Sequence, residues 1–239
     1  MNNYELPTRI EKIPLSKWTI FDVAGVQFCI FASAIIVFIA SELFIKNEKI
    51  ALIFFRYLFS LATLFFPIVW IRKRYSLSKE VLGLRKGHLG LPSLVSIGVI
   101  TALIYSFLKR LSPLWRESAL AAVNMPNLYA YLVLMPISIS GFSTIVLVPI
   151  SEEVMDRGFI YGYLRKKLGV SFGLVLQALL FSLLHVDYIY GDALYYIFNR
   201  FLTGIVLGVL YETTGSLYPS IICHGLFNYL VIIFSLAWV

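Results

Sequence analysis

Charge is scarce in this chain. Asp, Glu, Lys and Arg make up 14% of its 239 residues, against about 25% in a soluble domain. A water-facing surface cannot be built from so little, which excludes an ordinary soluble globule. Cysteine is nearly absent as well: Cys29 and Cys223 are the only two, and both fall in apolar segments. They read as packing residues, so neither a disulfide framework nor a thiol metal site organises the fold. Short alternating strands, about ten residues each in a membrane barrel, are missing too. A His-Glu-x-x-His zinc signature is likewise absent.

What the chain has in abundance is apolar length. Hydrophobic residues form 59% of it, in runs of about 17 to 25, the length a helix needs to cross hydrocarbon. The expectation is an all-α, polytopic membrane bundle of seven or eight transmembrane helices. Spans are read at about 22–44, 50–71, 92–108, 171–187, 194–211 and 217–238. Residues 111–126, with Pro113, Arg116 and Glu117, read as an interfacial loop. The stretch 127–168 is too long for one helix, and Pro136, Gly141 and Pro149 suggest breaks. An apolar piece at 127–148 is therefore expected, followed by a helix with Ser151 as N-cap that ends near Leu168. Residues 1–125 would hold the first spans and a basic loop, and 126–239 a catalytic core, within one integrated membrane domain.

The net charge of +7 sits in short clusters between spans. This is the positive-inside pattern and argues against a nucleic-acid partner. The N-terminal arm, the 72–90 loop and Arg165-Lys166-Lys167 alternate with loops poorer in Lys and Arg and so share one side, which places the N-terminus in the cytoplasm. The first 21 residues are polar and resemble no cleavable leader, so the first span is expected to be retained.

Against this apolar background the run from Ser151 to Gly158 stands out, with Glu152, Glu153, Asp156 and Arg157 in eight residues. Adjacent carboxylates in hydrocarbon cost several kcal/mol unless partnered. Glu153 and Arg157 are i and i+4 on one helix face and can pair. Glu152 lies about 100° round the helix, free to bind water. Phe181 and His185 repeat the i, i+4 spacing, as do His224 and Asn228. A Glu with a His can activate water, and a His with an Asn can donate to a developing oxyanion. The alternative reading of each motif is plainer: a Glu/Arg cluster anchoring a helix end, and histidines bridging helices. Zinc on Glu152, Glu153, His185 and His224 is a secondary option, and otherwise no cofactor is implied. Asn199 and Arg200 could face the same cavity, although packing or snorkelling explains Arg200 more simply. Gly204-x-x-x-Gly208 reads as a helix-packing seam, and the Tyr-rich 188–196 as an interfacial belt.

Together, Glu152-Glu153-x-x-x-Arg157-Gly158, Phe181-x-x-x-His185 and His224-x-x-x-Asn228 resemble the three signature motifs of the CAAX-protease and bacteriocin-processing family. These are glutamate-type intramembrane proteases related to the prenyl-protein CAAX endopeptidases. The resemblance covers about 145–235, including the Pro149-Ile150 lead-in and the Gly204 to Gly215 region. It implies that Glu152 and His185 activate the attacking water. His224 and Asn228 would form the oxyanion hole, Glu153 and Arg157 would hold the site, and Phe181 would line it. The implied partners are a peptide or lipidated protein substrate and membrane lipids, and the implied location is a prokaryotic plasma membrane. Asp156 departs from the family, which usually carries an aromatic or apolar residue there. Its carboxylate would pair with Arg157, act on Glu152, or mark a subfamily with another substrate. A non-catalytic immunity or regulatory protein, binding a peptide in the same cavity, is the alternative reading. A small transporter with a Glu/His proton relay is a third class, but no internal repeat supports it.

Overall fold

The computed structural model describes residues 16–86, 89–111, 138–185 and 193–236. Among these residues every regular element is helical and no strand occurs. The helices are α1 (Ile20–Phe44), α2 (Glu48–Tyr75) and α3 (Leu91–Leu111), with a 3₁₀ turn at Lys79–Leu82. A long helical run follows. It comprises α4 (Ile139–Phe142), a π-helical stretch (Ser143–Leu147), α5 (Val148–Glu152), a second π-helical stretch (Glu153–Ile160) and α6 (Tyr161–Leu183). Then come α7 (Ala193–Thr214) and α8 (Tyr218–Leu236).

The chain is an integral membrane protein. The outward faces of its first helices carry large apolar side chains such as Phe21, Phe28 and Phe44, all more than two-thirds exposed. Four segments are long and apolar enough to cross a membrane: Ile20–Ser41, Ile50–Tyr75, Leu91–Lys109 and Ser143–Leu183. Length and composition among the described residues thus yield four candidates, not the seven or eight expected. The difference comes partly from the last of these, whose 41 residues would extend about 60 Å as one straight helix, twice a hydrocarbon core. The interfacial loop expected at 111–126 and the Tyr-rich 188–196 stretch fall largely outside the described residues.

Two expectations need correcting. Ser151 does not cap a helix, because the run is already helical at Leu147 and continues through Pro149. The Ser151 hydroxyl instead donates to the Val148 carbonyl at 2.9 Å. Nor do Gly141 and Pro149 break the run. The missing proline N–H is absorbed by the π-helical stretch before it, where the Val148 N–H reaches back to Ser143. The real break is at Gly169, with φ 76° and ψ 179° inside α6. Only glycine adopts that conformation readily. A Cβ on Gly173 would lie 3.0 Å from the Arg165 backbone nitrogen, so the chain doubles back tightly here. The expected end of a helix near Leu168 is therefore present.

One end of the bundle is locked by polar groups. Asp22 closes the first turn of α1 by accepting from the Thr19 N–H and hydroxyl, each at 2.8 Å. Asp22 also accepts from Trp70 at 2.8 Å and Tyr75 at 2.6 Å and pairs with Arg74 at 2.9 Å, which ties α1 to the end of α2. The segment after α2 wedges beneath the long helical run. A Cβ on Gly158 would fall 2.6 Å from the Leu82 carbonyl oxygen, so only glycine lets that turn approach. Gly83 accepts from the Leu217 N–H at 2.9 Å, and Arg85 donates to the Gly215 carbonyl at 3.0 Å. Arg165 forks onto Glu212, which also accepts from Tyr161 at 2.7 Å. The apolar core beside this end gathers Trp18, Leu82, Val154, Phe159, Tyr161, Tyr211 and Leu217 around the second π-helical stretch.

Candidate active site

Six of the seven side chains singled out in the sequence contact one another, and the seventh, Asn228, turns to the Thr144 backbone. The α5 segment and the second π-helical stretch supply Glu152, Glu153 and Arg157; α6 supplies Phe181 and, just past its end, His185; α8 supplies His224 and Asn228. Glu153 and Arg157 are both fully buried and pair at 3.1 Å. Arg157 also donates to the Gly204 carbonyl at 3.5 Å and lies 4.4 Å over the Phe181 ring. Asp156 is more distant, at 3.9 Å from the same guanidinium. Removing one partner of such a buried pair strands the other charge, at a cost of about 3–5 kcal/mol.

Glu153 does more than balance a charge. Its Oε1 is also 2.9 Å from Nδ1 of the buried His224. With Arg157 beside it the carboxylate is an acceptor, so Nδ1 carries the hydrogen and donates. That fixes the ring, and Nε2 then faces Glu152 Oε2 at 3.7 Å. His185 is held similarly. Its Nδ1–H donates to the Phe181 carbonyl at 2.7 Å, one turn back, and Nε2 stands 3.3 Å from Glu152 Oε1. The Glu152 carboxylate therefore bridges two imidazoles whose other nitrogens are engaged. Its side chain is 21% exposed, whereas that of Glu153 is 0%. Of the two adjacent glutamates, Glu152 is the one a substrate can reach.

Helix packing sets these distances. A Cβ on Gly204 would meet Ala178 Cα at 2.9 Å, and one on Gly208 would meet Leu174 at 2.6 Å. The glycine seam thus brings α7 against α6 and delivers the Gly204 carbonyl to Arg157. Phe181 packs between the two histidines, with ring centroids 4.4 Å from His185 and 6.2 Å from His224. Asn228 lies one turn beyond His224, but its Nδ2 donates to the Thr144 backbone carbonyl at 3.0 Å. Among the described residues, no three His, Cys, Asp or Glu side chains are grouped so as to hold a metal ion.

The sequence did not reveal that Glu153 orients His224, nor that Trp18 supports the site. The Trp18 indole donates to the Phe159 carbonyl at 2.9 Å and stacks on its ring. Nothing in linear spacing links residues 141 positions apart.

Among the described residues, then, a partly exposed glutamate lies between two oriented imidazoles, next to a buried Glu–Arg pair, inside an apolar helical bundle. Comparison with known families agrees on the kind of protein: the family described as Rce1-like, type II CAAX prenyl endopeptidase Rce1-like, matches residues 133–230. That segment holds all seven residues, and the resemblance carried by the three motifs is borne out across it. No curated protein and no solved structure matches the chain.

Proposed function

We propose that this protein is an intramembrane endopeptidase of the glutamate type, cutting a membrane-anchored or lipid-modified peptide with an activated water and no covalent intermediate. The observation that carries this reading is Glu152, exposed to the site and held between His185 and His224. A water on Glu152 would lose its proton to the Glu152/His185 pair as its oxygen adds to the scissile carbonyl. The oxyanion that forms would take a hydrogen bond from Nε2 of His224, whose ring Glu153 orients and whose positive charge it balances when both nitrogens carry hydrogen. Collapse of the tetrahedral species would return the proton to the leaving amine. Arg157 holds Glu153 in place through their 3.1 Å pair and takes no part in bond making.

The family points to a prenylated CAAX-type peptide as the first substrate to test, with peptide pheromones, bacteriocins or sorting signals next. In membrane topology, the Gly169 reversal divides the long helical run into two crossings. With α1, α2, α3, α7 and α8 this would make seven among the described residues. Trp18, the 76–86 segment, Arg165 and the 215–217 turn lie at one end through the bonds of Trp18, Arg85 and Glu212. That end carries the basic clusters and would face the cytoplasm. The test is incubation of purified protein in liposomes with farnesylated and unmodified membrane peptides, read by mass spectrometry. Products with one new carboxyl and one new amine terminus, formed in the presence of chelators and thiol reagents, support the proposal. Peptide binding with no cleavage of any substrate would instead favour the immunity or regulatory reading.

A further inference from the structure

Arg74, Arg157 and Arg165 each pair with a carboxylate. Arg200 differs. It is half-buried in α7, and among the described residues it makes no hydrogen bond and no ion pair. Charge inside an apolar bundle is costly and marks a ligand or ion path. Lys109 is moored to the same turn of α7, donating to Thr203 at 3.2 Å and to the Asn199 carbonyl at 3.5 Å. Positive groups are thereby gathered at one place.

The height of Arg200 in the bundle follows from its neighbours. Arg157 reaches the Gly204 carbonyl, and further along the same two elements Tyr161 and Arg165 meet Glu212. The long helical run and α7 therefore point the same way. Glu152 lies five residues before Arg157, and Arg200 lies four before Gly204. Arg200 thus comes about level with Glu152. Its charge acts on both Glu152 and His185, which puts the guanidinium on the side of the site. A snorkelling arginine would lead its charge away from them.

We infer that Arg200 is a specificity-determining residue whose guanidinium receives a carboxylate carried by the substrate peptide, a few residues from the scissile bond. The planar fork of arginine matches a carboxylate with two parallel hydrogen bonds. A free C-terminus and an Asp or Glu side chain present the same two oxygens, so either serves as the source. The inference rests on the hydrolase reading and narrows its substrates to peptides that are anionic beside the cleavage point.

The test uses three membrane-anchored peptides of one sequence: a free C-terminal acid, its C-terminal amide, and the amide with one internal Glu near the cleavage point. Wild type, Arg200→Gln and Arg200→Lys are compared in phosphatidylcholine liposomes, with and without phosphatidylglycerol. Wild type should cleave at least one of the two anionic peptides about ten- to a hundredfold better than the neutral amide, the scale of a hydrogen bond to a charged group. Which anionic peptide is preferred identifies the source of the carboxylate. In Arg200→Gln that preference should fall to about threefold or less, through a raised KM on the anionic peptide, while the neutral amide is cut as by wild type. Arg200→Lys, a charge without the fork, should keep part of the preference.

Equal cleavage of all three peptides by wild type would overturn the inference. So would an equal loss on all three in Arg200→Gln, which would make Arg200 a charge acting on Glu152 and His185. An Arg200 effect seen only with phosphatidylglycerol, whatever the peptide, would assign the guanidinium to a lipid phosphate and also overturn it. The comparison of peptides on wild type holds even where Arg200→Gln does not fold. A wild type that cuts none of them would refute the hydrolase reading; binding of the same peptides then decides the carboxylate site, with tighter binding of an anionic peptide upholding it and equal binding overturning it.

Discussion

Gly225→Ala adds a single methyl group at the closest helix contact beside the site. The new Cβ would lie 2.4 Å from the Ile145 carbonyl oxygen, whereas carbon–oxygen contacts between packed backbones settle at about 3.3–3.6 Å. Because the obstacle is backbone, the helices must separate by about 1 Å. His224 is the adjacent residue on α8, so its 2.9 Å bond to Glu153 would stretch beyond hydrogen-bonding range and Nε2 would retreat from Glu152. A shift of that size costs about a hundredfold in rate, with about 1–3 kcal/mol of stability lost to overpacking. Gly169→Ala is the matched control. Nothing lies within 4 Å of its Cβ, but φ is +76°, so it strains the backbone by about 1–3 kcal/mol at a point remote from the chemistry. Both variants would be assayed for thermal unfolding in detergent and for peptide cleavage in liposomes. The reasoning requires similar losses of stability and dissimilar losses of kcat. A Gly225→Ala protein that cleaves within about threefold of wild type would refute the claim that this contact sets the catalytic spacing.

The remaining predictions concern individual side chains. Arg157→Ala removes one partner of a fully buried pair and should destabilise by about 3–5 kcal/mol, seen as a large drop in melting temperature or loss of folded protein; a silent effect would mean that the pair at 3.1 Å contributes nothing. Trp18→Phe keeps the ring stacked on Phe159 but deletes the indole donor to its carbonyl, so thermal unfolding should register about 1 kcal/mol while kcat changes little. Asp156→Leu restores the kind of residue the family usually carries. With its carboxylate 3.9 Å from Arg157 and Glu153 already holding that guanidinium, cleavage should persist within about threefold, under half the tenfold that 1.4 kcal/mol represents. Loss of activity in that variant would give Asp156 a direct part in the chemistry.

Much of the site was legible because helical periodicity converts spacing into faces. Glu153 and Arg157, Phe181 and His185, and His224 and Asn228 were each paired by an i, i+4 rule, and the structure brings all of these but Asn228 into mutual contact. Charge in an apolar run flagged Glu152 for the same physical reason that buries Glu153 with a counterion. The helix end near Leu168 was also expected, and the structure places the break at Gly169. What the sequence withheld depends on departures from regular helix. Pro149 read as a stop, yet a π-helical stretch absorbs its missing donor and the helix runs on. Ser151 looked like a cap only because that stop was assumed. Which carboxylate meets which imidazole is decided by how α8 settles against the first π-helical stretch, where Gly225 meets Ile145 and Asn228 meets Thr144. No pattern within either helix encodes that meeting.

The central claim is that Glu152, rather than its buried neighbour, handles the water. Cleavage of a membrane peptide by wild-type protein should therefore be compared with Glu152→Ala in the same liposomes, with folding verified by thermal unfolding. The account predicts a folded variant in which product formation falls by at least about a thousandfold, on the scale of general acid–base catalysis, while peptide binding is retained. A folded Glu152→Ala protein that still cuts the peptide at a rate near wild type would contradict it.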